Sequence, residues 1–574
     1  MIEIVDGSDS LHDAYGELLS AVQINRIFPD GMDFVRMSPL SPLEQINAEF
    51  SRLGAPDPSI LSEFVLRHFA PRTQLTSKYV HQPRTIDQHV NYMLSDALVC
   101  NNSQAKAPII PVPHDFVAAD GERFGDVMFN WDTNPTSEGV LALGHYSLAQ
   151  GMVNNQAHLI RERGFIPNGT LTCLANRSQP PLFADTVNTM TEAYLAQGNE
   201  PIHPENPLIK YLPYMVREMG WWNRGRQYLE RHPNEVSHEH TVRMPDGFMT
   251  CYAGLAGTPR EESFSEDVAT IRAALALNPH ADPEKIARHI RGGAESGLDF
   301  SVDRFSKDRE TLATIHTEDL VPPDLNSMMV DYYNTIANAY ELKLQLSGLS
   351  ADEKAEARCE AVRYREEART LATLINKYCW NPDTDLYHDY DFVQHYQDGM
   401  PIRNNQTPAE SLATVFPLYA RIASREQASG VAARIKSDFM RQGGLATTLR
   451  NTGQQWDGDM SWPILNRKAQ RAFELNGYSE LASTIRGRFV AATSSIYNQT
   501  GRVYEKMNAR DMSKGTAGEY DVTGDFGMSL AVVASMRREI YAERELLLTR
   551  PDTSRRTLRL AMIAAALAFD SLQP

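Results

Sequence analysis

Cysteine is scarce and scattered in this sequence: Cys100, Cys173, Cys251, Cys359 and Cys379 are five among 574 residues, without a close CxxC pair. A disulfide framework and a zinc ribbon are excluded as organising devices, and the thiols read as reduced. Basic blocks are missing as well. Lys and Arg number 56 against 73 Asp and Glu, a net charge of −17, so nucleic acid and anionic membrane surfaces are poor partners and a neutral or cationic ligand fits better. The longest apolar stretch, Leu560 to Phe569, is about ten residues, against the roughly 20 that a membrane span needs. The opening MIEIVDGSDSLHDAY has neither the basic nor the apolar region of a signal peptide, which makes the cytoplasm the expected location. There is no phosphate-cradling GxxxxGK(S/T), no GxGxxG after a strand and no GxSxG elbow, so nucleotide and cofactor chemistry drop out and no cofactor is expected.

What is present is a globular composition, 42% hydrophobic and 22% charged. At about 150 residues per domain the length suggests three or four units. The patterning argues for one scaffold instead. Leu325, Met328, Met329, Tyr332, Ile336 and Tyr340 repeat at three and four, as do Leu412, Val415, Phe416, Tyr419 and Ile422, and Leu481, Ile485, Phe489, Ala492 and Ile496. Each series marks one buried helix face. Asp282, Pro283 and Glu284 start a helix and Gly292-Gly293 should stop it after about nine residues, while 351–378 predicts a long helix with Glu/Arg pairs on its wet side. Between the helices lie stretches rich in Gly, Pro, Asn and aromatics: 107–137, 164–183, 243–265, 292–308, 380–408, 441–463 and 498–528. Seven long loops between helices suggest a scaffold presenting loops to one site, and a closed toroid of antiparallel helix pairs satisfies this.

Three kinds of side chain in those loops could carry chemistry. Asp299, between Leu298 and Phe300, has an apolar setting that suits a general acid, and Glu505 follows a helix far downstream. Two carboxylates brought together from distant loops are the minimum equipment for glycoside hydrolysis; capping or solvated carboxylates are the competing reading. Aromatic and acidic residues recur together at Trp131-Asp132 and Trp456-Asp457, with Trp462 following and Trp221-Trp222 elsewhere, a combination that suits sugar rings and hydroxyls as well as it suits a core. Arg123, Arg177 and Arg260 lie in loops, the second beside Ser178 and Gln179 and near Asn168. Their donor forks match carboxylates and hydroxyls alike. His232, His238 and His240 read as a solvated turn, because no further metal ligand or regular spacing accompanies them.

These residues, in this order, resemble the trehalases of glycoside hydrolase family 37 from about residue 14 to about residue 535. Val22-Gln23 with Ile27-Phe28-Pro29-Asp30 and Asp33-Phe34-Val35 is similar to the family's opening segment. Gly121 to Phe124 with Trp131-Asp132 resembles its first signature, and Gln455-Trp456-Asp457 with Trp462 its second. Ile166-Pro167-Asn168-Gly169 followed by Arg177-Ser178-Gln179-Pro180-Pro181 matches IPNG and RSQPP. Pro259 to Phe264 resembles PRPESY, Ala294 to Phe300 resembles AESGWDF, and Glu505-Lys506 with Gly518-Glu519-Tyr520 resembles the EKYD and GEY segments.

The resemblance implies an all-α (α/α)6 toroid that hydrolyses α,α-trehalose to two glucose molecules with inversion, with Asp299 as general acid and Glu505 as general base. It places substrate contacts on Arg123, Trp131, Asp132, Asn168, Arg177, Ser178, Gln179, Arg260, Glu262, Gly297, Trp456, Asp457 and Glu519. The implied partner is a neutral sugar met by a monomer. The expected divisions are an N-terminal helical extension at 1–80, the catalytic toroid at 81–545 and a tail at 546–574. Departures stand at Asn134, Glu261, Leu298 and Met528, where the family has Ser-Tyr beyond its Trp-Asp, then Pro, Trp and Trp. They leave room for a different α-glucoside, or for a sugar-binding protein of weak activity.

Overall fold

Six helices of this chain are buried on nearly every side, and their contacts close into a ring. In the computed structural model, which describes residues 11–71, 80, 82–393, 405–516, 518 and 521–549, Thr133–Ala142 packs on Phe183–Ala196, which packs on Pro323–Lys343. That helix meets Phe416–Tyr419, which meets Pro463–Leu475 and then Gly527–Thr549, and the last returns to the first. A second layer lies outside. Tyr146–Arg163 covers the first two inner helices, Leu212–Trp222 and Ala351–Tyr378 cover the third, and Ser479–Thr500 covers the last two. The fold is an (α/α)6 toroid. One hydrophobic cluster runs through it from Leu18 to Ile540 and takes in the helices Leu11–Ile24, Leu43–Leu53 and Pro58–His68. Among the described residues no helix is long and apolar enough to cross a membrane.

Local chemistry explains most of the boundaries. Ser350 and Glu353 form a capping box that opens Ala351–Tyr378, and Ala357, Ala361, Tyr364, Ala368, Leu371 and Ile375 form its buried stripe. Prolines stand in the first turn of three inner helices, at Pro323, Pro417 and Pro463, where a missing N–H costs nothing. Two expectations need correction. The helix begun by Asp282 and Pro283 does not stop at the glycines but continues to Glu295. Gly292 and Gly293 are there for closeness: a Cβ would lie 2.9 Å from the Tyr252 carbonyl oxygen at the first and 2.8 Å from the Phe300 ring at the second. The periodic run from Leu412 to Ile422 is also shorter as a helix than its spacing predicts, with a 3-10 turn at Leu412–Val415 and an α-helix only over Phe416–Tyr419. The stretch from Leu560 to Phe569 and most of the expected tail lie outside the described residues, and Gly527–Thr549 runs through the expected boundary at 545.

Where four of the inner helices meet, a set of polar side chains satisfy one another. Lys468 of the fifth lies 2.5 Å from Asp185 of the second and 2.9 Å from the Asn134 amide oxygen of the first. Tyr419 of the fourth donates to the other Asp185 oxygen at 2.8 Å. Burial pushes the Asp185 carboxyl up, and the Lys468 ammonium with hydrogen bonds from Tyr419 and Asn134 more than reverses this, leaving it below its ordinary range. The departure at Asn134 therefore belongs to the helix ring. A second node lies nearer the loops, where Arg304 holds Asp324 and Asp389 through four hydrogen bonds of 2.7 to 2.8 Å.

Short strand pairs tie the loops to this frame. Val99–Cys100 pairs with Phe116–Val117, Leu320–Val321 with Tyr390–Asp391, and Met507–Asn508 lies between Met460–Ser461 and Ser513–Lys514. Replacing Lys468 by Met should cost about 3–5 kcal/mol in urea unfolding, because it strands a buried carboxylate. A loss below about 1 kcal/mol would show that the ring does not rely on this ion pair.

Candidate active site

The loops converge on a cavity of about 1060 Å³ at one mouth of the toroid. Of the residues expected to form a site, Arg123, Trp131, Asp132, Asn168, Arg177, Gln179, Arg260, Glu262, Gly297, Asp299, Trp456 and Glu505 all line it. They come from six separate loops, which explains why the intervening sequence is so long. Ser178 and Asp457 lie behind the wall instead. The Ser178 hydroxyl donates to the Ile166 carbonyl at 2.7 Å and its amide to Glu295 at 3.1 Å. Asp457 accepts from Thr452, from the Asp303 amide and from Ser301, so it fixes the chain just after Asp299, and burial raises its carboxyl to about 6. Glu519 lies outside the described residues.

Each wall has a mechanical reason for its position. Arg260 is 1% exposed; Asp267, in the first turn of Phe264–Leu277, grips its guanidinium at 2.8 to 3.2 Å and accepts from its amide at 2.7 Å. The arginine lies over the Phe300 ring and reaches within 4.0 Å of the Asp299 carboxylate. Arg177 pairs with Glu262 at 2.6 Å. Burial acts against both charges of that pair, yet the arginine is held above its usual range by Glu262, and the carboxyl below its own by Arg177 and Arg260. The apolar flank expected for Asp299 is present in buried Leu298 and Phe300, but two arginines face the carboxyl as well, which local sequence could not reveal. Its side chain is 32% exposed, open to the cavity.

Glu505 opens into the same space. Its side chain is 2% exposed and lies 3.0 Å from the Lys506 ammonium. Asp132, at the start of the first inner helix, is raised to about 7 by burial and then by the charge of Glu505. Its Oδ1 accepts no hydrogen bond, and Arg177 Nε and Glu262 Oε2 are equally buried without partners. Buried polar atoms left this way around one cavity suit it to bind polar groups.

The aromatic surface is a stack. Trp456 lies on Trp462 with ring centres 3.6 Å apart, and Trp131 leans on Trp456 at 6.1 Å. Gly297, at φ +72°, lets the chain pass Trp131: a Cβ there would lie 3.1 Å from the indole. Gln179 accepts from the Trp131 amide at 3.1 Å. Trp462, read from sequence with Trp456-Asp457, lines the cavity too, and among the lining residues not read as site candidates are Phe129, Gln455 and Asp30, the last paired with Arg123 at 2.5 Å. All but Phe129 sit inside the quoted motifs, which is the signal that could have found them.

Two other readings change. Trp221 and Trp222 are core residues, packed around His240. His232 and His238 do stack on Tyr228 near the surface, but His240 is not part of a solvated turn: it is fully buried and bonds Glu295 at 3.0 Å.

A helical toroid whose loops bring carboxylates, arginines and stacked tryptophans into one cavity has the architecture of a carbohydrate-active enzyme. Residues 57–540 match the family model named Trehalase, and the chain belongs to that family. It is 32% identical over 530 residues to a periplasmic trehalase of Pseudomonas aeruginosa, covering 92% of this chain and 90% of the relative. Its fold is similar to that of a neutral trehalase from Saccharomyces cerevisiae, with a TM-score of 0.58 at 17% identity and 98% of each chain covered.

Gly297→Ala should cost about 1–2 kcal/mol, the usual penalty of a left-handed non-glycine residue, and should displace Trp131. Unfolding and tryptophan emission report both effects; unchanged values would show that the wall is slack.

Proposed function

We propose that this cavity hydrolyses α,α-trehalose to two glucose molecules with inversion. The observation that carries the reading is the opening of Asp299 and Glu505 into one cavity shared with three tryptophans and five arginines. Asp299 protonates the glycosidic oxygen as that bond to the anomeric carbon breaks. Glu505 takes a proton from a water that attacks the same carbon from the opposite face. One water is consumed, and the attacked glucose leaves as the β anomer while its partner remains α. Arg177 and Arg260, each fixed by a carboxylate, supply directed donors to hydroxyls, and the tryptophan stack supplies a face for a pyranose ring.

A different α-glucoside keeps less support than the sequence lent it. Leu298 and Asn134 lie outside the cavity lining, and of these departures Met528 alone lines it. A panel of α-linked disaccharides decides between the two substrates. The third option, a sugar-binding protein of weak activity, is disfavoured by the presence of both carboxylates. The Pseudomonas relative is a periplasmic trehalase, which supports the periplasm as the compartment, in place of the cytoplasm expected from the N-terminus.

Asp299→Asn and Glu505→Gln should each lower glucose release from trehalose by about 1000-fold while circular dichroism stays unchanged. Proton NMR of the first turnover should show equal α- and β-glucose; α-glucose alone would overturn inversion.

A further inference from the structure

We infer that Lys506 is a positioning residue: with Gln455 it forms a buried bridge that holds the Glu505 carboxylate in fixed relation to the backbone of Asp299. This rests on the catalytic reading of those two carboxylates. The Lys506 ammonium lies 3.0 Å from Glu505 Oε2 and donates to the Gln455 amide oxygen at 2.8 Å. The Gln455 amide nitrogen donates to the Asp299 carbonyl at 2.5 Å. One side-chain path thus joins the proposed base to the segment carrying the proposed acid, although the two lie far apart in the chain.

The surroundings are shaped for a cation. The ammonium stands over the Trp462 ring, 4.9 Å from its centre, and that indole donates its N–H to the Gln455 carbonyl at 2.8 Å. Gly518 closes over the amide; a Cβ there would lie 2.3 Å from Gln455 Oε1, so the backbone can come this near only as glycine. Lys506 is 0% exposed and lies behind the cavity lining, which leaves it to act through Glu505.

The chemical consequence concerns the base. A base must be ionised before it can accept a proton from water, and a cation at this distance favours the ionised form. Glu505 is also faced by Asp132 from the start of the first inner helix, whose own carboxyl is raised by burial and then by the charge of Glu505. Nearby Arg502 pairs with Glu122 at 3.2 Å, and Asp525 is engaged by His89 at 2.7 Å. Lys506 is a cation set directly against Glu505, at 3.0 Å. Binding one carboxylate oxygen also fixes the rotation of the group, which a point charge in solvent would not do.

The test compares Lys506→Gln, Lys506→Arg and Gln455→Glu with the unmodified enzyme in steady-state trehalose hydrolysis across pH. Lys506→Gln should lower kcat about 100-fold, leave KM within about threefold and move the acid limb of kcat/KM up by about one pH unit. Lys506→Arg keeps the charge and should keep the limb. Gln455→Glu sets a second carboxylate against the ammonium, should move the limb in the same direction, and decides the matter alone if Lys506→Gln does not fold. A folded Lys506→Gln enzyme with the original kcat and acid limb overturns the positioning role and leaves the catalytic reading standing. An active Glu505→Gln enzyme overturns that reading itself.

Discussion

Glu295 is the side chain on which the rest of the site depends. It is wholly buried at the end of the helix Pro283–Glu295, four positions before Asp299. Its carboxylate accepts from the Ser178 amide at 3.1 Å, the Ala253 amide at 2.9 Å and His240 at 3.0 Å. A buried carboxylate persists only with such partners, so the three segments that supply them are obliged to come to it. Ser178 lies between Arg177 and Gln179, and Ala253 begins the approach to Arg260. The directions in which these ligand-facing groups point are therefore set from beneath by one group that meets no ligand.

The chain separates two uses of buried polarity. At the meeting point of the inner helices, Asp185, Asn134, Lys468 and Tyr419 satisfy one another and contribute to holding the ring. At the mouth, Asp132, Arg177 and Glu262 each keep an atom without a partner. The first arrangement stabilises a fold, whereas the second leaves an unfavourable state that a polyhydroxylated ligand can relieve. The replacement of a family proline by Glu261 belongs with the first, since that carboxylate is met by Arg291 at 3.3 Å and by Asn176 at the same distance.

What could be read from sequence follows the range of the forces involved. The bounds of Ala351–Tyr378 were legible because a capping box and a buried stripe are local. The loop walls were legible as composition, and motif order pointed to twelve residues that do share one cavity. Gly292-Gly293 misled because their reason is the approach of Tyr252 and Phe300, a tertiary fact. His240 was hidden for the same reason: its partner stands 55 positions away. Ser178 and Asp457 lay in the right motifs, but no local pattern distinguishes a side chain that faces the cavity from one that supports it.

The ring is closed by its latest part. Gly527–Thr549 packs against Thr133–Ala142, and the cavity draws on side chains from Asp30 to Met528. During synthesis at about 5–20 residues per second, roughly 400 residues separate the emergence of the first inner helix from that of the last, an interval of roughly 20–80 s. For that time the first inner helix, Thr133–Ala142, has no final neighbour on one side. Nascent chains of this architecture thus spend most of their synthesis as an open arc, and the cavity comes into being only with the closing helix.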